Sequence, residues 1–304
     1  MTVSRRRQRE AAETVRARVN YHNVNALMKN ADATTRRVLE HDIRRSLDEQ
    51  EFALEFHPQI ELASGRIAGF EALLRWRPDG APAVPPVEFI PLLEEHGLIS
   101  LVGAWVIDAA CRERREWHER GLLPADCRLA INLSASQFLD DNLGPLLQQA
   151  IVRHDLAPSM IEAELTESVL MQDTAQTDRI LAHIRGIGLK LSVDDFGTGY
   201  SSFAYLKRFH LDTLKIDRAF IQHLTTGAKD LTIATSIIQL SHALGLKTVA
   251  EGVETAEQLA VLHNVKCDFA QGYLFSRPLP AESVPDFVQG WRGLGSLRTD
   301  ARTA

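Results

Sequence analysis

The feature that most constrains this chain is a series of short apolar segments, each ending at a polar side chain. Segments 129–131, 189–193 and 248–250 lack the alternation of a strand with one wet face and predict strands buried on both faces. The polar residues that end seven such segments are Glu71, Asn132, Glu164, the pair Asp194 and Asp195, Lys215, Glu251 and Gln271. In a closed barrel of alternating strands and helices, strand-end residues meet on one rim. The sequence therefore predicts an acidic, oxygen-rich site there.

Composition favours an ordinary globular protein. The 304 residues are 45% hydrophobic and 24% charged, enough for one barrel of about 250 residues plus extra segments. The net charge of −6 argues against binding to long nucleic acid. The longest apolar stretch, about residues 98–107, is far shorter than the roughly 20 residues that span a bilayer. No secretory signal pattern is visible, so we expect a cytoplasmic protein without membrane insertion.

The chain divides into three predicted parts. Residues 1–48 are rich in arginine, carry apolar residues at helical spacing, and predict a helical leader or linker with solvated basic side chains. This leader is also a candidate connection to an upstream sensory domain or partner. Residues 49–288 predict the barrel domain, opened by a hairpin in which segments 52–62 and 66–75 flank Ser64 and Gly65. Residues 289–304 predict a polar tail.

Two short motifs could suggest other nucleotide chemistry. Asp195, Phe196 and Gly197 spell a kinase-like Asp-Phe-Gly, but the chain has neither a glycine-rich phosphate loop nor a His-Arg-Asp motif. The stretch Gly-Thr-Gly at 197–199 is too short for a dinucleotide fingerprint. Neither alternative accounts for the strand-end carboxylates.

An ordered set of motifs carries a family resemblance. The motifs are FEALLRW (70–76), INLS (131–134), ELTES (164–168), DDFGTGYSS (194–202), KID (215–217), AEGVET (250–255) and QGY (271–273). Each is weak alone, but the set over about residues 50–285 closely resembles the EAL-domain family of cyclic di-GMP phosphodiesterases. The resemblance implies an α/β fold, a TIM-type (β/α)8 barrel with a non-parallel first strand, preceded here by N-terminal helices.

The resemblance also implies an activity. Such an enzyme opens cyclic di-GMP to linear 5′-pGpG by metal-activated water attack. Two divalent cations, Mg²⁺ or Mn²⁺, would stabilise the attacking and leaving oxygens, and they prefer hard oxygen ligands. Ca²⁺ is expected to be inhibitory because its coordination is longer and looser. The family further implies a homodimer.

The resemblance assigns roles to thirteen side chains. The implied metal ligands are Glu71, Asn132, Glu164, Asp194 and Asp195. The implied catalytic residues are Glu251, Lys215 and Glu167, of which Glu167 anchors the loop 196–202. The implied substrate contacts are Arg75, Gln59, Gln271 and Asp217, with Glu254 supporting neighbouring ligands.

One departure and two rival functions stay open. The family commonly has Gln before the proline of its first strand, whereas this chain has His57 before Pro58, which puts the substrate contact there in question. A receptor that binds the nucleotide without turnover is one rival. A hydrolase of another phosphodiester is the second, because a fold alone does not define a substrate. The complete ligand set, Lys215 and Glu251 favour catalysis over a pure receptor.

Overall fold

The described residues form nine strands in one sheet. A computed structural model describes residues 33–79, 82–171, 174–197, 206 and 208–296. The strands are β1 (Phe52–Glu61), β2 (Ile67–Trp76), β3 (Arg128–Leu133), β4 (Ile161–Thr166), β5 (Lys190–Phe196), β6 (Thr213–Ile216), β7 (Lys247–Ala250), β8 (Phe269–Gln271) and β9 (Leu279–Pro280).

Helices connect most of these strands. The α-helices are Ala33–Asp48, Pro86–Glu95, Ile99–Glu119, Ala135–Phe138, Leu143–Arg153, Glu167–Leu170, Ala175–Ile187, Arg218–Ile221, Ala228–Ala243, Ala256–Asn264 and Val284–Gly290. Short 3₁₀ helices occupy Pro158–Met160, Ala281–Ser283 and Leu294–Ser296. The alternation of strand and helix from β2 to β8 is the pattern of a parallel barrel.

Strands β1 to β8 close into a barrel. Strands β2 to β8 are parallel to their neighbours in chain order. Strand β1 pairs antiparallel with β8 and also pairs with β2, which closes the ring. The β1–β2 connection is a hairpin, since Glu61 N donates to Arg66 O at 2.9 Å. The predicted TIM-type barrel with a non-parallel first strand is confirmed.

The strands are buried on both faces, as their apolar sequences predict. In β4, Ile161 and Leu165 are fully buried, and the intervening Glu162 and Glu164 are 3% and 1% exposed. The aromatic residues of β1 and β2 pack outward against a helix, with Phe56 and Phe70 contacting Trp117 at ring distances of 4.7 and 5.6 Å. Phe56 and Phe70 thus pack the barrel against the helix Ile99–Glu119.

Local sequence signals fix how the chain enters the helices after strands. Thr255 caps the helix Ala256–Asn264: its hydroxyl accepts from Gln258 N, and the Gln258 side chain accepts from Thr255 N. Such a capping box satisfies two backbone donors and sets the chain direction. It holds the short connection that follows β7, where Glu251 lies.

The backbone contacts divide the chain into two compact units. One comprises the described residues of 1–54 and 74–106, and the other those of 55–73 and 107–304. The first has its own aromatic cluster, in which Phe52 stacks on Trp76 at 5.4 Å and both contact Phe89. The predicted domain limits at 48 and 288 stay predictions. Residues 1–32 of the predicted leader and 297–304 of the predicted tail lie outside the described residues.

Within the described part of the chain, every helix is too short or too polar to span a bilayer.

Candidate functional site

Lys215 lies at the centre of a buried acidic cluster on the barrel rim. Its ammonium is 2.7 Å from Glu164 and from Glu251, 3.1 Å from Asp194 and 3.5 Å from Glu71. The lysine side chain is 1% exposed. These residues come from strands β2, β4, β5 and β6 and from the segment after β7. The structure brings the predicted side chains together, but the expectation that each one ends its strand is wrong for Glu71, which lies in the middle of β2 because that strand continues to Trp76.

A β-bulge presents Asp194 and Asp195 together. Between β5 and β6 the register advances three residues on one strand and two on the other, from Val193 to Phe196 against Leu214 to Ile216. Asp195 takes the extra position with φ of 55°, and its N–H donates to Asp194 Oδ1 at 2.9 Å. The sequence reasoning required the strand to end at this pair, whereas β5 continues to Phe196. The bulge overcomes the alternation that would otherwise point the two carboxylates to opposite faces.

The carboxylates form two groups that share Asp194. Oxygens of Glu71, Glu164 and Asp194 lie within 4.8 Å of one another, and so do oxygens of Asp194, Asp195 and Glu251. All the donors are oxygen, the preference of Mg²⁺ and Mn²⁺. Five carboxylates facing one ammonium carry a charge that two divalent cations would neutralise. The residues present therefore fit divalent cations that prefer oxygen ligands.

Burial and mutual repulsion alter the titration of these groups. Burial, with Asp194 and Asp217 nearby, raises the pKa of Asp195 to about 6. Burial also raises the pKa of Glu251 to about 8, against the lowering effect of Lys215, and raises that of Glu164 well above its usual range. The surrounding carboxylates outweigh burial at Lys215 and hold its pKa well above the ordinary value. Without cations, the cluster therefore retains protons near neutral pH.

Glu71 is held by amides on both oxygens. Asn132 donates to Oε1 at 2.6 Å, and Gln271 donates to Oε2 at 2.6 Å. Burial raises the pKa of Glu71, but Lys215 and these two hydrogen bonds outweigh it and lower the pKa below its usual value. Glu71 is thus an ionised, oriented carboxylate, as a metal ligand needs to be. The backbone at Gly272 allows this placement of Gln271, since a Cβ there would lie 2.1 Å from Val253 O.

A cavity of about 270 Å³ opens beside the carboxylates. Glu71, Asp194, Glu251 and Gln271 line it, together with Arg218 and Tyr273. Arg218 was not singled out from the sequence, although it directly follows the KID motif. Gly252, at φ of +68°, leaves room for it, because a Cβ there would lie 2.5 Å from Arg218 Cγ. Arg218 thus adds a cationic side chain to a lining that includes four carboxylate residues.

The predicted substrate contacts lie in different surroundings. Gln59 is 6% exposed, and its amide donates to Gln271 Oε1 at 3.1 Å. Asp217 accepts from Ala219 N at 2.8 Å as the N-cap of the helix Arg218–Ile221, and it hydrogen-bonds Asp195. Arg75 donates to Leu74 O at 3.0 Å and belongs to the first compact unit. The substrate roles of these residues stay predictions.

Two further residues were predicted to support the ligands. Glu254 is partly exposed and forms an ion pair with Arg218 at 3.1 Å. Glu167 is 4% exposed, and its Oε2 accepts from Gly197 N at 3.2 Å. This contact joins the helix after β4 to the chain after β5, at the start of the predicted loop. Residues 198–202 of that loop lie outside the described residues, so the anchoring role stays a prediction.

Comparison with known proteins agrees with this geometry. The EAL domain family model matches residues 40–278. The bifunctional diguanylate cyclase/cyclic di-GMP phosphodiesterase MucR of Pseudomonas aeruginosa is 42% identical over 255 residues, 84% of this chain and 37% of that protein. The cyclic di-GMP phosphodiesterase NbdA of the same species is 41% identical over 260 residues, 86% of this chain and 33% of that protein. This chain therefore spans about a third of the length of either relative.

A solved structure described as PaMucR phosphodiesterase in complex with c-di-GMP superposes with a TM-score of 0.76. It is 43% identical, and the match covers 80% of this chain and 98% of that one. The strand-end motifs, the barrel they build and the match over 40–278 lead to one conclusion, that this chain belongs to the EAL domain family.

Proposed function

We propose that this chain hydrolyses cyclic di-GMP to linear 5′-pGpG with the help of two divalent cations. The observation that carries the proposal is the pair of carboxylate groups that share Asp194 around Lys215. Relatives at about 40% identity are described as cyclic di-GMP phosphodiesterases, which supports the choice of substrate. A receptor needs a nucleotide pocket but has no need of this charged apparatus.

The cation ligands would be the five residues Glu71, Asn132, Glu164, Asp194 and Asp195. Divalent cations held there would supply Lewis acidity and would lower the pKa of a nearby water toward neutral pH. Glu71 and Glu164 belong to one carboxylate group and Asp195 to the other. Asn132 is neutral and orients Glu71. We propose Mg²⁺ or Mn²⁺ as the resident ions.

The remaining catalytic residues accept the proton of the attacking water and stabilise negative charge on the phosphate. Glu251 lines the cavity, and we assign it to accept the proton of the attacking water. The water oxygen bonds to phosphorus, the bond from phosphorus to the 3′ oxygen breaks, and that oxygen leaves as a hydroxyl after gaining a proton. Lys215 lies 2.7 Å from Glu251 and stabilises the negative charge that develops on phosphate oxygens. The result is a 5′-phosphate on a linear dinucleotide.

The substrate is an anion, so it needs cationic side chains in addition to the divalent cations. We propose Arg75 as one phosphate contact, because a guanidinium forks onto two oxygens. Gln271 and Asp217 are the proposed polar contacts, and Gln59 would act through the amide of Gln271 that it holds. Glu254 and Glu167 complete the proposal as supports, the first through Arg218 and the second through Gly197.

Turnover by the purified chain tests the function. The chain is incubated with cyclic di-GMP and Mn²⁺ or Mg²⁺ in ¹⁸O-labelled water, and the nucleotides are separated and weighed by mass spectrometry. We expect linear pGpG with one ¹⁸O on its terminal phosphate, no product with EDTA, and little product with Ca²⁺. Full activity in EDTA or with Ca²⁺ would contradict the proposed site.

Two rival outcomes are distinct. Tight binding of cyclic di-GMP without product in either metal would identify a receptor. Hydrolysis of bis(p-nitrophenyl) phosphate or a linear dinucleotide, with cyclic di-GMP untouched, would identify another phosphodiesterase. We also propose a homodimer coupled through the segment after Asp195, and light scattering with and without nucleotide measures its mass. We also propose that the leader 1–48 connects the barrel to an upstream sensory domain or partner.

A further inference from the structure

The amide of Gln271 uses all of its hydrogen-bonding groups inside the protein. Its nitrogen donates to Glu71 Oε2 at 2.6 Å and lies 2.8 Å from His57 Nδ1, while its oxygen accepts from Gln59 at 3.1 Å. All four side chains are 9% exposed or less. An amide nitrogen has two hydrogens, so each one is committed to a different partner.

The contacts of His57 settle which of its nitrogens carries the proton. Nε2 lies 3.1 Å from the carbonyl oxygen of Ser276, which can only accept, so Nε2 carries the hydrogen. In the neutral ring Nδ1 is then an acceptor, and it faces the amide nitrogen of Gln271. Burial lowers the pKa of His57 despite the opposing effect of Glu71, in agreement with a neutral ring.

These contacts allow one orientation of the Gln271 amide. Turned by 180°, its oxygen would face the Glu71 carboxylate and the His57 lone pair, placing acceptor against acceptor twice. Gln59 would at the same time point its own amide nitrogen at a donor. Glu71, His57 and Gln59 therefore all require the same orientation of the Gln271 amide. Of these three neighbours, His57 is the one at which this chain departs from the residue common in its family.

We propose that His57 is a positioning residue, whose Nδ1 holds the Gln271 amide against Glu71 and so keeps that carboxylate in place for cation binding. The inference rests on the proposed function, since it concerns the proposed ligand Glu71. Partners one shell removed from a metal typically change its affinity about 10–100-fold when lost. Both ring nitrogens of His57 are within hydrogen-bond distance of protein groups, which argues against a direct polar contact with substrate.

Three substitutions at one position separate the roles. H57F keeps an aromatic ring beside Tyr273 but removes the acceptor. H57N places an amide oxygen at the position of Nδ1, and H57Q supplies an acceptor of the kind common in the family. We expect Mn²⁺ affinity, measured by calorimetry without nucleotide, to fall about 10–100-fold in H57F and to stay within about 3-fold in H57N and H57Q. H263N, at an exposed histidine, is the matched control.

The outcomes separate this inference from the proposed function. H57F with wild-type Mn²⁺ affinity and a raised KM would overturn the positioning role and make His57 a substrate contact. Equal loss in H57F, H57N and H57Q would overturn it too, because the acceptor would then be irrelevant. If H57F fails to fold, H57L provides the same comparison. Wild-type protein that binds no Mn²⁺ and hydrolyses nothing would overturn the proposed function, whereas active wild type beside an unaffected H57F overturns only this inference.

Discussion

At the scale of single residues, Lys215 is the group on which the acidic cluster most depends. One ammonium lies within 3.5 Å of four carboxylates, in a place that is 1% exposed. A buried ion pair is weak evidence of stability, because desolvation of the charges offsets their attraction. Removing one partner is nevertheless costly, since the remaining charges stay buried without compensation. A role in the proposed reaction therefore explains this arrangement better than a contribution to the stability of the fold.

Lys215→Met should destabilise the cation-free protein and abolish turnover. The methionine keeps most of the volume but leaves the carboxylates of Glu164 and Glu251 facing each other, a change that costs on the order of 3–5 kcal/mol for buried pairs. Part of the cost is relieved because these carboxyls can protonate. Thermal unfolding in EDTA and in Mn²⁺ measures the loss of stability. We expect Mn²⁺ to recover part of it. An unchanged melting temperature in EDTA would contradict this view of the cluster.

Asp194→Asn should reduce turnover more than the loss of any ligand that belongs to one carboxylate group alone. Asp194 belongs to both carboxylate groups, so the loss of its negative charge should weaken the binding of both proposed cations. The loss should exceed the roughly 10–100-fold typical of a residue one shell removed. Steady-state hydrolysis with Mn²⁺ is the measurement. Asp178→Asn, at an exposed aspartate paired with Arg208, is the control and should keep wild-type rates.

At the scale of elements, the bulge in β5 and the short helix after β4 bring the site together. The bulge turns Asp194 and Asp195 toward one region, and the left-handed backbone of Asp195 stores strain of the order of 1–3 kcal/mol. The helix Glu167–Leu170 places Glu167 against the residue that follows β5. Strained backbone of this kind persists where surrounding structure enforces it, and it clusters at functional sites.

Glu167→Ala should loosen the chain after β5 without removing a ligand. Gly197 N loses its acceptor, so its amide should exchange with solvent faster. Hydrogen exchange followed by mass spectrometry reads this directly. Glu167→Gln keeps an acceptor oxygen and should stay close to wild type. Equal rates of amide exchange at Gly197 in the wild type and the alanine variant would contradict the proposed anchoring role of Glu167.

Two adjacent strands of the barrel contain a contrast between buried threonines. Thr213 on β6 is 1% exposed, and its hydroxyl has no hydrogen-bond partner among the described residues. Thr248 on β7 is equally buried, but its hydroxyl donates to Asp268 at 3.1 Å and accepts from Asp268 N at 3.2 Å. Burying an unpaired hydroxyl costs about 1–3 kcal/mol, whereas a paired one stabilises.

Thr213→Val should therefore leave the free energy of unfolding unchanged or raise it. Thr248→Val, the matched control, should lower it by about 1–3 kcal/mol because the partner groups of Asp268 lose a hydrogen bond. Chemical denaturation of both variants gives the comparison. A loss in Thr213→Val as large as in Thr248→Val would mean that its hydroxyl has a strong partner.

At the scale of the whole molecule, the site opposes folding when cations are absent. Glu164, Asp195 and Glu251 are buried close to other carboxylates, so their pKa values rise above those of an unfolded chain. A carboxyl with a raised pKa stabilises the fold while protonated and loses that contribution as the pH rises. For Glu251 the loss runs from its ordinary 4.5 to about 8, and for Asp195 from 3.8 to about 6.

Cation-free protein should therefore melt at a lower temperature at pH 8 than at pH 5.5. The difference should be several degrees or more, since each 1 kcal/mol moves the melting temperature by roughly 2–4 °C in domains of about 150–250 residues. Mn²⁺ should stabilise more at pH 8, because its ligands must be deprotonated. Scanning calorimetry in EDTA and in Mn²⁺ measures both. Glu251→Gln removes one of the carboxyls with a raised pKa and should make the profile in EDTA less steep. A melting temperature in EDTA that rises toward pH 8 would contradict the assignment.

The sequence alone predicted the barrel, which the structure confirms, and it supplied the candidate cation ligands. Apolar runs without alternation require strands buried on both faces, and a polar residue at the end of each run can only gather at one rim. The ordered motifs narrowed that architecture to one family, which the match over residues 40–278 confirms.

Only the tertiary structure decided how the side chains meet. Sequence reasoning made Gln59 a substrate contact, which stays a prediction, and only the fold shows that its amide donates to Gln271. It left His57 as an unexplained departure and did not single out Arg218, which lines the cavity beside Glu254. These relations join residues up to 214 positions apart along the chain. Hydrogen bonds and charge depend on distances of a few ångströms, and such distances between remote residues are set by strand register and a single bulge, which no local pattern encodes.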